Sequence, residues 1–173
     1  TSTIHATEPA TSPCPLSRCP RNTATTSTYP TSSAEPRVFF HRETVGRVEF
    51  AFSDRGGGLS SVPWASLNLG TSNGDDPNLV QGNLEILGEH LGVDRLVRMT
   101  QVHGSGVAWT DAVAVGEIPV VDALITDQVG VGVLVRVADC TPVVVAGLDE
   151  PVAGVVHCGR EGLVQGVVAA AIG

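Results

Sequence analysis

Val131-Gly132-Val133-Leu134-Val135-Arg136-Val137 is an almost wholly apolar run that stops at Ala138-Asp139-Cys140-Thr141-Pro142. A strand with only one face in the core alternates apolar and polar residues. One covered on both faces reads as this run does. Shorter valine-rich runs surround it: Leu96–Val102, Val107–Thr110, Val120–Thr126, Val143–Ala146 and Val152–Val156, each bounded by turn residues. Upstream, Val48–Phe52 alternates as a strand, and residues 53–74 are rich in turn formers, including Gly56-Gly57-Gly58. Asp76-Pro77 then supplies an N-cap and a first helical residue. Leu79, Val80, Leu84, Leu87 and Leu91 mark one face of a helix over 77–91. Residues 162–171 read as the beginning of a second helix. Buried strands interleaved with helices place the chain in the α/β (α+β) class.

Composition narrows the chemistry. The chain has 173 residues, 10 Lys+Arg against 18 Asp+Glu, and a net charge of −8. Every basic residue is an arginine, which excludes a Schiff-base lysine, a P-loop lysine and a lysine general base. The acidic balance argues against a nucleic-acid partner, and no apolar run reaches the length of a membrane span. Residues 1–36 are mostly Thr, Ser, Pro and Ala and read as a disordered tail. They lack the basic and apolar blocks of a secretory signal. Cys14 and Cys19 lie there without a second pair of ligands. The tail is neutral, so the whole −8 belongs to residues 37–173. The chain starts at Thr1, its single methionine is Met99, and it stops inside a helical pattern. These features lead us to expect a fragment whose domain, 37–173, lacks its C-terminal part.

Three residues with metal-binding or nucleophilic chemistry fall where apolar strands end. His103 lies in Gln101-Val102-His103-Gly104, Cys140 precedes the Thr141-Pro142 turn, and His157 lies in His157-Cys158-Gly159. Strand ends are favoured ligand sites in α/β sheets. Two His and one Cys form a three-ligand set for zinc or copper, with a fourth position open. A Cys140–His157 nucleophile–base pair, oriented by Asp139 or Asp122, fits the same spacing. His41 and His90 have ordinary readings, on a strand edge and a helix surface; His5 falls in the tail. Arg55 precedes the glycine run. The run lacks both familiar nucleotide-binding spacings, so it is either a structural loop or an anion cradle beside that arginine.

Taken in order, Phe52-Ser53-Asp54-Arg55-Gly56-Gly57-Gly58-Leu59-Ser60, Ser66-Leu67-Asn68-Leu69-Gly70, Asn83, Gln101-Val102-His103-Gly104, Asp122-Ala123-Leu124-Ile125-Thr126, Ala138-Asp139-Cys140-Thr141-Pro142 and His157-Cys158-Gly159 resemble the multicopper polyphenol oxidase or laccase-domain family, also called YfiH-like. The resemblance runs from about Arg47 to the end. It implies mixed sheets flanked by helices, in a fold related to cysteine hydrolases, and a cytoplasmic location. It also implies a metal, Zn²⁺ or alternatively Cu²⁺, on His103, Cys140 and His157. The implied activity is purine nucleoside phosphorolysis, with adenosine deamination beside it. The partners are then a small-molecule nucleoside and phosphate. Arg55 and Arg160 are the phosphate-binding candidates. Asp139 is expected to move a proton or to hydrogen-bond a metal ligand. Copper-dependent polyphenol oxidation, a Cys140–His157 hydrolase or peptidoglycan-editing role, and an inactive fragment are the alternatives. Where the family has H-A-G-W-R-G, this chain has His157-Cys158-Gly159-Arg160-Glu161-Gly162, which displaces the arginine by one residue and adds an acid. The family also continues past this helix with a further cysteine-containing segment.

Overall fold

The computed structural model describes residues 2–6 and 38–173. In chain order these form strands β1 (Ser2–Ala6), β2 (Phe39–Val45) and β3 (Val48–Ser53), then helix α1 (Pro77–Leu91). Strands β4 (Arg95–Arg98), β5 (Val107–Trp109), β6 (Ala123–Thr126), β7 (Val131–Val135), β8 (Thr141–Ala146) and β9 (Ala153–Cys158) follow, and α2 (Arg160–Val164) and α3 (Val167–Ile172) close the chain. The strands make two mixed sheets, ordered β2-β3-β1-β7-β4 and β5-β6-β9-β8. Within them β4 runs parallel to β7 and β5 parallel to β6, and the remaining neighbours are antiparallel.

The apolar runs are explained by four layers. Val97, Val133 and Val135 of the first sheet meet Leu124 and Val155 of the second in one core cluster between the sheets. On the outer side of the first sheet, Leu84, Leu87 and Leu91 of α1 pack on Leu134 and Ala51. On the outer side of the second, Val167 of α3 packs on Val156, Ala123 and Cys158. Successive residues of β7 and β9 therefore enter different cores, and neither strand has a face open to solvent. Each fully buried Leu or Val stabilises this arrangement by about 1.5–3 kcal/mol relative to exposure.

Helix α1 begins and ends where its sequence indicates. The Asp76 carboxylate accepts from Asn78 N at 2.8 Å, Pro77 takes the first turn, and Gly92 closes the helix in the left-handed conformation. Three features differ from expectation. The C-terminal helix is two short helices, because Gly166 sits at φ +82° and breaks the turn between them. Strand β2 carries no period-2 signal because its residues are largely exposed at the sheet edge. Finally, Ser2–Ala6, within the expected tail, is a strand between β3 and β7. Main-chain pairing on both sides holds it, which composition does not report. The rest of that tail, with Cys14 and Cys19, lies outside the described residues. Among those described, no helix is long and apolar enough to cross a membrane.

Candidate metal centre and anion groove

The centre is built around one buried carboxylate. Asp122, immediately before β6, is fully buried. Its Oδ1 accepts from His103 N at 2.9 Å, and its Oδ2 accepts from Gly104 N at 2.8 Å and Val102 N at 3.2 Å. Three successive amides converge on one anion because His103 takes φ +61°, the left-handed region that a non-glycine residue rarely enters. Asp122 also contacts His157 Nδ1 at 2.8 Å, while its carbonyl accepts from His157 N at 2.7 Å. Burial raises the pKa of this carboxyl, but the hydrogen bonds from His157 and the three amides outweigh it and hold the group below its ordinary value. One carboxylate thus sets the backbone of one histidine and the ring of the other.

His103, Cys140 and His157 are brought together by this arrangement. One ligand atom from each lies within 4.8 Å of the others. Cys140 Sγ is 3.8 Å from His103 Nε2, and the two imidazoles meet edge to face with centroids 4.7 Å apart. Bonds of 2.0–2.3 Å in a tetrahedron place neighbouring ligand atoms about 3.6 Å apart; the Cys140–His103 contact is near that spacing, and two imidazoles with a thiol are a donor set that suits a metal ion. The carboxylate on His157 Nδ1 leaves Nε2 as the ring nitrogen available to a ligand, an arrangement usual behind metal-bound histidines. His157 is buried, Cys140 is half-buried and His103 is exposed, so the centre opens on the His103 side. A Cβ on Gly159 would fall 2.5 Å from His103 Cδ2, and one on Gly162 would fall 2.7 Å from Gly104 O. These glycines let the His103 loop lie against the start of α2.

Asp139 is exposed beside Cys140, and Asp122 is the carboxylate that touches a histidine of the trio. Arg160 is exposed in the first turn of α2. Cys158, on the opposite face of β9 from His157, packs under α3, where burial pushes its thiol pKa up. It is not poised as a nucleophile.

Arg55 lines a groove of about 980 Å³ between the 53–73 loop and the ends of β4 and β7. The groove wall reaches Gln101 and Ala138, each two residues short of a member of the trio. Arg55 Nε and Nη2 donate to Ala65 O at 3.0 and 2.9 Å. The glycine run serves the loop itself: Gly58 N donates to Ser66 Oγ and Leu59 N to Asn83 Oδ1, and a Cβ on Gly58 would lie 2.3 Å from Ser66 O. Asn83, fully buried in α1, also donates to Ser60 Oγ and Asn68 O. The run is therefore a structural loop that carries Arg55. Sequence reasoning assigned no role to Arg136, which lines the same groove. Its signal was a lone charge inside an otherwise apolar strand run.

The pattern of the family described as Multi-copper polyphenol oxidoreductase laccase matches residues 49–173, and the chain belongs to that family. A protein named Purine nucleoside phosphorylase ORF3, from Streptomyces griseus, is 51% identical over 134 residues, which are 73% of this chain and 53% of that one. Purine nucleoside phosphorylase SCO2081 of Streptomyces coelicolor is 49% identical over 135 residues, 76% of this chain and 55% of its own. Among solved structures, Neisseria meningitidis protein NMB0706, of family DUF152, matches with a TM-score of 0.66 at 34% identity, covering 70% of this chain and 50% of that one. The chain spans about half the length of the curated relatives it matches.

Proposed function

We propose that this chain carries the metal-holding and phosphate-holding part of a purine nucleoside phosphorylase. The reaction joins adenosine or inosine with phosphate to give ribose 1-phosphate and the free base. The observation that carries this reading is the His103–Cys140–His157 trio, whose near neighbours Gln101 and Ala138 line a groove containing Arg55, in a chain about half identical over the matched residues to proteins bearing that name.

His103, Cys140 and His157 would hold the ion, and Zn²⁺ suits two imidazoles and a thiolate. When bound, zinc supplies Lewis-acid character and an open coordination position. Asp122 fixes the His157 tautomer and keeps the ring turned toward the trio. Arg55 neutralises the phosphate that attacks C1′ of the sugar, with Arg160 contributing from the rim. As the glycosidic bond breaks, the departing base takes the proton that the attacking hydrogen phosphate gives up, and exposed Asp139, next to Cys140 in sequence, would relay it. Adenosine deamination would be a side activity of the same centre.

Two imidazoles around one thiol favour a metal over a Cys140–His157 dyad, which needs only one, and the sulfur contact is to His103. Polyphenol oxidation by several coppers would require more histidines than the trio supplies. Chromatography of adenosine or inosine incubated with phosphate and the full-length protein is the test. Ribose 1-phosphate and free base are expected, and their absence overturns the reading. Alkylation of Cys140 should slow when zinc is added; an unchanged rate favours the hydrolase.

A further inference from the structure

Arg136 follows β7 and is half-buried on the strand-end wall of the groove. Gln101 holds its main chain from both sides. Gln101 Oε1 accepts from Arg136 N at 3.0 Å, and Gln101 Nε2 donates to Arg136 O at 2.7 Å. Its guanidinium is anchored only to neutral oxygens: Leu69 O at 2.9 Å, Thr71 Oγ1 at 3.3 Å and Met99 O at 3.4 Å. These use three of the five N–H bonds a guanidinium offers. Among the described residues no carboxylate makes an ion pair with it, whereas exposed Arg42 pairs with Glu49. Burial, and then the like charge of Arg98, lower its pKa. A protein of net charge −8 thus keeps a half-buried cation beside another cation, without an acid. Such an arrangement is costly unless an anion completes it. Arg55, on the loop wall of the same groove, is held the same way by a main-chain oxygen. The single lining acid, Asp54, accepts from Arg55 N.

We propose that Arg136 is a second anion-binding residue of this groove, acting with Arg55, and that the anion is inorganic phosphate or the sugar phosphate formed from it. The identity of the anion rests on the phosphorolysis reading; the anion site itself rests on the two arginines. Gln101 gives the site its second property. It clamps Arg136 two residues before His103, so one bracket ties the anion-binding end of the groove to the metal-holding end.

The test is calorimetric titration of inorganic phosphate into the full chain and its variants, without nucleoside, with zinc content and melting temperature measured in parallel. A hydrogen bond between two charged groups contributes enough that Arg136→Gln should weaken phosphate binding by about tenfold or more, with zinc content unchanged. Arg136→Lys keeps the charge but not the fork, and should weaken binding by a smaller factor, about threefold to tenfold. Under turnover, Arg136→Gln should raise KM for phosphate and leave KM for the nucleoside within about twofold. A folded Arg136→Gln protein that binds phosphate like the wild type overturns the proposal. If Arg136→Gln does not fold, unaltered phosphate binding by Arg136→Lys overturns it instead, as does a wild type that binds no phosphate. Phosphate binding lost in Arg136→Gln, in a protein without phosphorolysis, upholds the anion site and removes the phosphorylase reading.

Discussion

The two ends of the site treat charge in opposite ways. At the His103–Cys140–His157 end a single anion, Asp122, is fully buried and saturated by three amides and an imidazole. At the groove end two cations, Arg55 and Arg136, are tethered to neutral oxygens, and neither makes an ion pair with an acid among the described residues. The first arrangement is complete within the protein and serves to aim other groups. The second is incomplete and has capacity for a ligand. A buried group that is satisfied defines geometry, and one that is not defines affinity. Perturbing the two ends separately should therefore give separate signatures.

The largest effect is expected from Asp122→Ala. It leaves three half-buried amides and the buried His157 Nδ1 without their acceptor, a loss approaching that of breaking a buried ion pair, about 3 kcal/mol. Denaturant unfolding should show that loss together with reduced zinc content. A variant as stable as the wild type would mean that the His103 loop does not depend on Asp122.

Asn83→Ala perturbs the other end. Its amide ties α1 to the Leu59, Ser60 and Asn68 positions of the loop that carries Arg55. Removing it should cost about 2–3 kcal/mol and weaken phosphate binding while zinc content stays normal. Loss of both ligands together would show that the ends are one unit. Gly159→Ala tests the metal end more locally, since its Cβ would fall 2.5 Å from the His103 ring. Displacing one ligand without removing it should lower zinc affinity by about 10–100-fold, as changes behind metal ligands do, with the melting temperature little altered.

The two ends also differed in how far the sequence revealed them. His103, Cys140 and His157 were legible because each follows an apolar strand and is followed by a glycine or proline turn. That pattern locates a strand end and a change of direction together. The α1 boundaries were legible from Asp76-Pro77 and Gly92 for the same local reason. Convergence of the three came from treating them as one ligand set and from the family resemblance, not from local pattern, because it depends on two sheets packing face to face and that information lies in long-range contacts. Asp122 was visible as a charge before a buried strand, but its four partners come from two distant segments. Arg136 stood out only as an interruption of Val131–Val137, and its meaning depends on three-dimensional contacts, in which no carboxylate of the described residues pairs with it. Strand β1 was hidden because main-chain pairing leaves little trace in composition.

The smallest effect is expected at Arg160, and it bears on how the groove was inferred. The displaced family motif places this arginine beside Glu161 in the first turn of α2, where both are exposed. Arg160 is not among the residues lining the groove, and no carboxylate of the described residues pairs with it. An exposed side chain of this kind contributes within about 0.5 kcal/mol of nothing to stability. Its attraction for phosphate is also screened by water over a Debye length of about 8 Å at physiological salt. Arg160→Ala should therefore change KM for phosphate by less than about threefold, and that small change should vanish as salt is raised. Arg55→Ala should raise the same KM by about tenfold or more, because its guanidinium, though exposed, is fixed by Ala65 O at the groove wall. An Arg160→Ala effect as large as that of Arg55→Ala would move the phosphate from the groove to the α2 side of the metal centre. It would also restore to the displaced family arginine the role its sequence position suggests.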